Sequence, residues 1–239
     1  MNDDDCHPLD NVVWSALTSA HAALAQGKAH GSGRARHYPR DIAPFSAVAE
    51  PSVRAYADLA EGLAGGVEAR LFRPAEEPTP AGWETLSARA IIQMVADDVR
   101  PRRQPLDGLS IEPLAASDAA EMIALAEITK PGPLGPRTVL LGDYLGVRDE
   151  TRRLIAMAGE RFRLPGHVEV SAICVDPAMR GRGLGHALTV ALVERARRRG
   201  ETAFLHVFPD NPAAQLYRQW GFRERARHWV IWRRPRAGT

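Results

Sequence analysis

The chain has 239 residues, of which 45% are hydrophobic and 25% charged, and its formal net charge at pH 7 is +2. Such values are typical of a globular protein with one large or two small domains, and no apolar run approaches the length of a membrane span. The acidic start, residues 1–5, does not resemble a signal peptide, and the two cysteines, Cys6 and Cys174, do not suggest a disulfide. A reducing, cytoplasmic location is therefore expected.

The first 108 residues are predicted to form a small α/β domain that carries no motif of known chemistry. Apolar residues at helical spacing predict a helix over 12–24, and Ser52 is placed to cap a second helix that ends at Gly65 and Gly66. Strands are expected at 67–72 and 90–95. A stretch rich in proline and arginine, 100–105, indicates a linker, so the domain boundary is placed between residues 108 and 109.

The second domain, residues 109–239, is predicted to be a complete α/β unit. Ser117 or Asp118 is expected to cap a helix that runs to about Ile128. The loop 130–136 contains three prolines and cannot continue that helix. Strands are expected at 109–114, 142–148, 153–161 and 167–175.

The strand that ends at Val175 leads into a glycine-rich basic loop and then into an amphipathic helix. Arg180, Gly183 and Gly185 fill the pattern R-x-x-G-x-G at this turn. Such a loop leaves backbone N–H groups free at the positive end of the helix dipole, which favours a bound phosphate or pyrophosphate. His186 stands where a dinucleotide fingerprint needs its last glycine, and no G-K-[ST] follows, so neither a Rossmann fingerprint nor a P-loop is indicated.

A second motif follows a short apolar strand at 202–208. Proline-marked turns lead into a helix, and L-Y-R-Q-W-G-F at 216–222 matches the last part of the pattern N-x-x-A-x-x-L-Y-x-x-x-G-F. The chain is one residue shorter than that pattern between Asn211 and Tyr217. Either Asn211 or Asp210 can therefore take the asparagine position.

In this order and context, the two motifs resemble those of the GNAT N-acetyltransferase superfamily, and the resemblance covers about residues 109–232. It implies an α/β (α+β) fold with a mixed, mostly antiparallel central sheet flanked by helices. The layout of the whole chain is similar to the glycine N-acyltransferase-like branch. That similarity implies that residues 1–108 are a smaller α/β domain derived from a degenerate GNAT-like half.

The resemblance also implies an acyl-CoA site, with acetyl-CoA or another acyl-CoA as the co-substrate. Strand N–H groups would hold the pantetheine and polarise the thioester, and the basic loop would hold the pyrophosphate. The binding residues implied by position are Ile173, Cys174, Val175, Arg180, Gly181, Arg182, Gly183, Leu184, Gly185, His186, Asn211, Ala214 and Tyr217. No histidine or cysteine spacing typical of a metal site is present, so no metal is expected.

Three residues are candidates for proton transfer. The resemblance implies that Tyr217 is the general acid that protonates the leaving thiolate, since a phenol is a suitable donor. His206 is a candidate base because imidazole accepts protons near neutral pH. Glu169, on the face of its strand shared with Ser171 and Ile173, is the other candidate base. Each also has a purely structural interpretation, and a water chain can replace a dedicated base.

We therefore expect an acyl-CoA-dependent N-acyltransferase that moves an acetyl or short acyl group to a primary amine by direct attack in a ternary complex. The alternative is a non-catalytic acyl-CoA-binding module that acts through a protein partner. The acceptor, a small molecule or a peptide, is not specified by the fold. Residues 109–239 contain 20 Lys/Arg against 14 Asp/Glu, whereas residues 1–108 contain 11 against 15. This positive half suits coenzyme A.

The arginines of residues 109–239 are not interleaved with stacking aromatics, so a nucleic-acid partner is not expected. No membrane partner is expected either, and a homodimer is left open.

Overall fold

A computed structural model describes residues 7–27, 33–63, 67–101 and 108–236. The helices are α1 (Val12–Leu17), α2 (Val53–Gly62), α3 (Ala119–Thr129), α4 (Leu184–Arg198) and α5 (Ala213–Gln219). The strands are β1 (Ala35–His37), β2 (Ser46–Val48), β3 (Ala69–Arg73), β4 (Trp83–Ala96), β5 (Ile111–Leu114), β6 (Tyr144–Arg148), β7 (Leu154–Leu164), β8 (His167–Val175), β9 (Thr202–Val207) and β10 (Phe222–Pro235). The acidic start with Cys6, the glycines expected to end the second helix, and most of the expected linker lie outside the described ranges.

Eight of the described strands form one sheet, in the order β3-β10-β4-β9-β8-β7-β6-β5. Every neighbouring pair is antiparallel except β8 and β9, which run parallel. The connection between these two strands contains α4, as a parallel pair requires a crossover. The expected mixed, mostly antiparallel sheet flanked by helices is confirmed.

Strands from both sides of residue 108 share this sheet. β10 pairs with β3 along one edge and with β4 along the other, and β4 also pairs with β9. The expected boundary at 108/109 therefore lies between two strands of one hydrogen-bonded sheet. The strand expected at 90–95 begins earlier, at Trp83, because its whole length pairs with the 14-residue strand β10.

Several elements form where the local sequence signals predicted them. The Ser52 hydroxyl accepts a hydrogen bond from the Ala55 N–H at 3.2 Å and so caps α2. Strand β8 covers the whole of the expected segment 167–175. Helix α3 ends at Thr129, and Lys130 takes a left-handed φ of 53° before the proline-containing loop.

The helix expected over 12–24 is wrong beyond Leu17. The chain turns there, and His21 points into the core, where Nδ1 lies 2.7 Å from the Tyr38 hydroxyl and Nε2 lies 3.0 Å from the Leu141 carbonyl oxygen. These contacts join residues that are far apart in the chain. Tertiary hydrogen bonding of a buried polar group therefore prevails over local helical periodicity.

The two faces of the sheet carry different cores. On one face α4 packs against β7, β8 and β9 through Leu188, Leu192 and Val193, which are fully or almost fully buried. Burial of each such side chain contributes about 1.5–3 kcal/mol. The other face carries an aromatic cluster in which Phe45 and Phe72 pack against Phe162. This cluster brings residues from before position 108 against the central strands.

Candidate active site

A cavity of about 990 Å³ opens where β8 and β9 separate. The two strands pair only from His167 to Glu169 on β8, and later residues of both strands line the cavity. The register between β7 and β8 also shifts, and Ala172 takes a φ of 51°. Backbone groups on the β9 side of β8 thus lack a strand partner beyond Glu169 and can bind a ligand instead.

One end of the cavity is formed by the glycine-rich loop and the first turn of α4. Gly181 and Gly183 take φ values of 81° and 75°, which a residue with a side chain adopts only under strain. The first turn of a helix leaves its N–H groups without intrahelical acceptors, and Gly183, Leu184 and Gly185 all line the cavity. Arg180 lines it as well, and its Nε donates to the Val175 carbonyl oxygen at 3.4 Å. This end can therefore bind an anion.

Most of the acyl-CoA residues expected from the sequence lie together on the cavity wall. Those that line it are Ile173, Cys174, Val175, Arg180, Gly181, Gly183, Leu184, Gly185, His186, Asn211 and Tyr217. Arg182 and Ala214 are not among the lining residues. Arg182 is exposed, whereas Ala214 is buried on the face of α5 that packs against the core.

Of the two candidates for the asparagine position, Asn211 lines the cavity and Asp210 does not. The Asn211 side-chain oxygen accepts a hydrogen bond from the Ala213 N–H at 2.9 Å, at the start of α5. The Asp210 carboxylate points outward and pairs with Arg89 at 3.0 Å. The geometry therefore favours Asn211 for the asparagine position of the second motif, although the chain is one residue shorter than the pattern before Tyr217.

Tyr217 faces the cavity from α5. Its ring packs edge-on against Trp220, with 5.4 Å between ring centroids, and against Phe222, with 6.1 Å. Burial raises the pKa of the Tyr217 phenol to about 12. The phenol is therefore protonated at neutral pH and can donate a proton.

Cys174 also lines the cavity, and burial raises the pKa of its thiol. The thiolate, not the thiol, is the nucleophile in covalent catalysis. The environment of Cys174 therefore does not favour a covalent acyl-cysteine route.

The two candidate bases are in direct contact. His206 Nδ1 lies 2.7 Å from Glu169 Oε1, and both side chains are fully buried. Both carboxylate oxygens of Glu169 also accept hydrogen bonds from the Arg161 guanidinium, at 2.7 and 2.6 Å. Burial alone would raise the pKa of Glu169, but Arg161 and His206 together lower it to about 2. Burial also lowers the pKa of His206, and this effect outweighs the opposing effect of the Glu169 carboxylate.

Hydrogen bonding fixes the tautomer of His206. The Gln93 side-chain oxygen accepts from Arg225, so the Gln93 amide nitrogen is the donor to Leu9 O at 2.9 Å and to His206 Nε2 at 3.1 Å. His206 is therefore neutral, with its proton on Nδ1 directed at Glu169. Both ring nitrogens are engaged, and neither is open to a substrate amine.

No sequence motif indicated the part of the cavity that lies away from the glycine-rich loop. It is lined by Phe45, Arg70, Phe72, Ile91, Arg161, Val230 and Trp232. Four of these residues precede position 108, where no chemical motif was visible. The one available signal was strand alternation, which puts Arg70 and Phe72 on the same face of β3.

In the described ranges, no group of three or more His, Cys, Asp or Glu side chains is arranged to hold a metal ion. None of the described helices combines the length and the apolar character that a membrane crossing requires.

Comparison with solved structures extends over the whole chain. A GNAT-family protein from Novosphingobium aromaticivorans has 34% sequence identity and a TM-score of 0.82, and the alignment covers 98% of this chain and 100% of that one. A GCN5-related N-acetyltransferase from Kribbella flavida shares the fold, with a TM-score of 0.66 at 18% identity over 94% of this chain and 95% of its own.

Sequence comparison matches the motif-bearing segment. The family profile described as FR47-like protein matches residues 144–230. A mycothiol acetyltransferase from Mycobacteroides abscessus is 47% identical over 85 residues, which are 34% of this chain and 29% of that protein. The N-alpha-acetyltransferase RimI from Mycobacterium tuberculosis is 48% identical over 59 residues, which are 24% of this chain and 36% of its own. These alignments thus span about a third of each curated relative.

Proposed function

This chain belongs to the GNAT acetyltransferase superfamily, and on that premise we propose that it transfers an acetyl or other short acyl group from acyl-CoA to a primary amine. One observation carries the proposal. A single cavity joins an anion-binding helix start, the unpaired backbone of β8 and a protonated tyrosine. These are the three parts that an acyl-CoA thioester needs for binding, polarisation and release.

Acetyl-CoA is the proposed co-substrate. Its pyrophosphate would lie against the first turn of α4 and Arg180, where backbone N–H groups and positive charge are available. Its pantetheine would lie along the unpaired part of β8. Of the backbone N–H groups of Ile173, Cys174 and Val175, those that point toward the β9 side are the proposed donors to the thioester carbonyl oxygen, where they would stabilise the negative charge of the tetrahedral intermediate.

The proposed reaction is direct attack in a ternary complex. The neutral amine nitrogen forms a bond to the thioester carbonyl carbon, and the carbon–sulfur bond then breaks. Tyr217 donates its proton to the departing thiolate and regains one from solvent. The proton released by the amine leaves through water.

Glu169 and His206 are the candidate bases predicted from the sequence, but their contacts support a different role. We propose that they are positioning residues that hold Arg161 at the cavity wall. A carboxylate with a pKa of about 2 and two bonds to a guanidinium is a weak proton acceptor. A neutral imidazole with both nitrogens engaged has no lone pair left for the amine.

The finer features of the function stay proposals as well. We propose a cytoplasmic enzyme with a small-molecule or peptide amine as acceptor, and without a nucleic-acid, membrane or metal partner. The strands that residues 67–96 add to the sheet are the proposed counterpart of the altered first half found in the glycine N-acyltransferase-like branch. A homodimer is compatible with the fold.

Calorimetric titration of the purified chain with acetyl-CoA and with free CoA tests the proposal. A thiol-release assay with a panel of primary amines follows it. Binding together with amine-dependent thiol release is the expected result. Binding without release for any amine would favour the non-catalytic acyl-CoA-binding module, and absence of binding would contradict both functions.

A further inference from the structure

The charge on the cavity wall is one-sided. Among the described residues that line it, four are basic, namely Arg70, Lys130, Arg161 and Arg180, and none is acidic. Arg180 belongs to the end assigned to the CoA pyrophosphate. The other three lie outside the glycine-rich loop. The charge of Arg161 is balanced by Glu169, so Arg70 and Lys130 supply the positive charge away from the pyrophosphate end. A cationic acceptor such as a polyamine would be repelled there.

Arg161 presents unused hydrogen-bond donors in an apolar setting. Its Nε and Nη2 bind Glu169, whereas its Nη1 has no acceptor among the described residues and keeps contact with solvent. The guanidinium carbon lies 5.0, 5.2 and 4.8 Å from the ring centroids of Phe45, Phe72 and Phe162. Because Glu169 neutralises its charge, Arg161 contributes donors rather than net charge.

Arg70 supplies the net charge. Its guanidinium carbon lies 3.9 Å from the ring centroid of Trp232 on the neighbouring strand, and the side chain is half-buried. No carboxylate of the described residues forms an ion pair with Arg70, and Glu68 acts on it only over a longer distance. A guanidinium that packs on an aromatic ring through its face leaves its in-plane donors available for a planar anion.

Arg89 provides the contrast. It also stacks on an aromatic ring, with its guanidinium carbon 4.2 Å from the Phe208 centroid, but it is exposed and paired with Asp210. Arg89 does not line the cavity. Stacking on an aromatic ring is thus common to both arginines, whereas an unpaired charge at the cavity wall distinguishes Arg70.

The part of the cavity that contains Arg70 and Arg161 is next to the proposed reacting centre. The Phe72 ring centroid lies 4.8 Å from that of His206, and His206 is flanked on β9 by Leu205 and Val207, which line the separated strands. An acceptor bound there would need only a short reach from an anchored group to its amine.

We propose that Arg70 and Arg161 bind a carboxylate of the acceptor, and that Phe45, Phe72, Val230 and Trp232 receive a bulky apolar group of the same molecule. The acceptor is accordingly a small primary amine that carries a carboxylate and a large apolar side group. This inference rests on the proposed acyl transfer and specifies its acceptor.

A purely apolar occupant, such as a long acyl chain, fits the same walls less well. It would strip water from Arg70 and from Nη1 of Arg161 without replacing the lost hydrogen bonds. Leaving a buried donor unpaired is unfavourable, and more so when the group is charged. A carboxylate supplies the missing acceptors and the opposite charge.

The test compares each bulky apolar amino acid with its own carboxamide in the thiol-release assay with acetyl-CoA. Phenylalanine and leucine are the principal probes, and glycine reports the need for an apolar group. We expect kcat/KM for the acids to exceed that for the amides by about tenfold or more, which corresponds to about 1.4 kcal/mol. The amide has the more acidic ammonium group, so the availability of neutral amine alone would favour the amide.

Arg70→Gln should bring the ratio of acid to amide close to one and leave the KM for acetyl-CoA unchanged. Arg89→Gln is the matched control and should keep the wild-type ratio.

Equal rates for acids and amides in the wild type, or an unchanged ratio in Arg70→Gln, would overturn the proposal. Preference for a phosphorylated amine such as phosphoethanolamine over the amino acids would contradict the assignment of a carboxylate as the anionic group of the acceptor. If the amides are acylated as fast as the acids, this inference fails but the proposed acyl transfer still holds. Thiol release with none of the amines would instead contradict the proposed function, and this inference with it.

Discussion

His206 Nδ1 donates a hydrogen bond to Glu169 Oε1 over 2.7 Å, and neither side chain is exposed. The two residues come from the two strands that separate to form the cavity. Glu169 is the last residue of β8 that pairs with β9, and His206 lies two residues beyond its partner Phe204. Glu169 in turn binds Arg161 through both of its oxygens. The contact therefore fixes the start of the strand separation and holds one guanidinium at the cavity wall.

His206→Gln distinguishes positioning from base catalysis. Glutamine can keep a hydrogen bond to Glu169 but cannot accept a proton near neutral pH. We expect kcat to stay within about tenfold of the wild type, because removing a general base costs about 10²–10⁴-fold. The KM for the acceptor should rise more than kcat falls. Steady-state kinetics over a range of pH measures both effects, and a folded variant with a hundredfold lower kcat would restore His206 as the base.

Gly183→Glu should abolish acetyl-CoA binding. Gly183 precedes α4 with a φ of 75°, and it lines the end of the cavity that is assigned to the pyrophosphate. A glutamate there adds strain and a negative charge where the ligand is negative. Calorimetry should show a Kd raised by at least about a hundredfold, or about 2.7 kcal/mol.

Gly166→Glu is the matched control for that measurement. Gly166 has a similar φ of 70°, faces open space in the hairpin between β7 and β8, and does not line the cavity. Its Kd for acetyl-CoA should stay at the wild-type value. Equal affinities of the two folded variants would remove the pyrophosphate assignment.

Tyr217→Phe should slow turnover without weakening acetyl-CoA binding. The phenol, with a pKa of about 12, is protonated over the working range of pH, and the variant loses only that proton donor. We expect kcat to fall by about 10²-fold or more, while the Kd for acetyl-CoA stays within about twofold. Thiol-release kinetics and calorimetry on the same preparation separate the two quantities. Full activity would leave Tyr217 as a packing residue of α5.

Stability should fall in mild acid because of His21. Burial lowers the pKa of this imidazole from its ordinary value of 6.5 to about 4, so the unfolded chain binds a proton more readily than the folded chain does between those values. The contribution of His21 to the free energy of unfolding is therefore fully present above pH 6.5 and is lost as the pH falls toward 4. The full decrease is about 3 kcal/mol.

Urea unfolding at about pH 7 and about pH 5 measures this effect. His21→Gln removes the titrating group, and the difference in unfolding free energy between the two pH values should shrink, whatever the variant's stability at neutral pH. A difference equal to that of the wild type would show that other groups cause the acid sensitivity.

Sequence alone identified the features that depend on local chemistry. The glycines and arginine of the loop 180–185 predicted an anion-binding turn, because positive φ values and free N–H groups are properties of the chain next to a helix start, and Gly181 and Gly183 do take positive φ values. Alternation and turn residues gave the strand that feeds it, and Ser52 gave a cap. Arg182 shows the limit of that reasoning, since a pattern does not tell which side chain points outward.

Only the tertiary structure decided how residues 1–108 contribute. Arg70 and Phe72 carry no motif, and they become part of the cavity wall because β3 pairs with the far end of the chain on β10. The same holds for Glu169 and His206, whose protonation states follow from burial and from Arg161 and Gln93 on other strands. Strand pairing and burial are set by contacts between distant segments, and local sequence does not encode them.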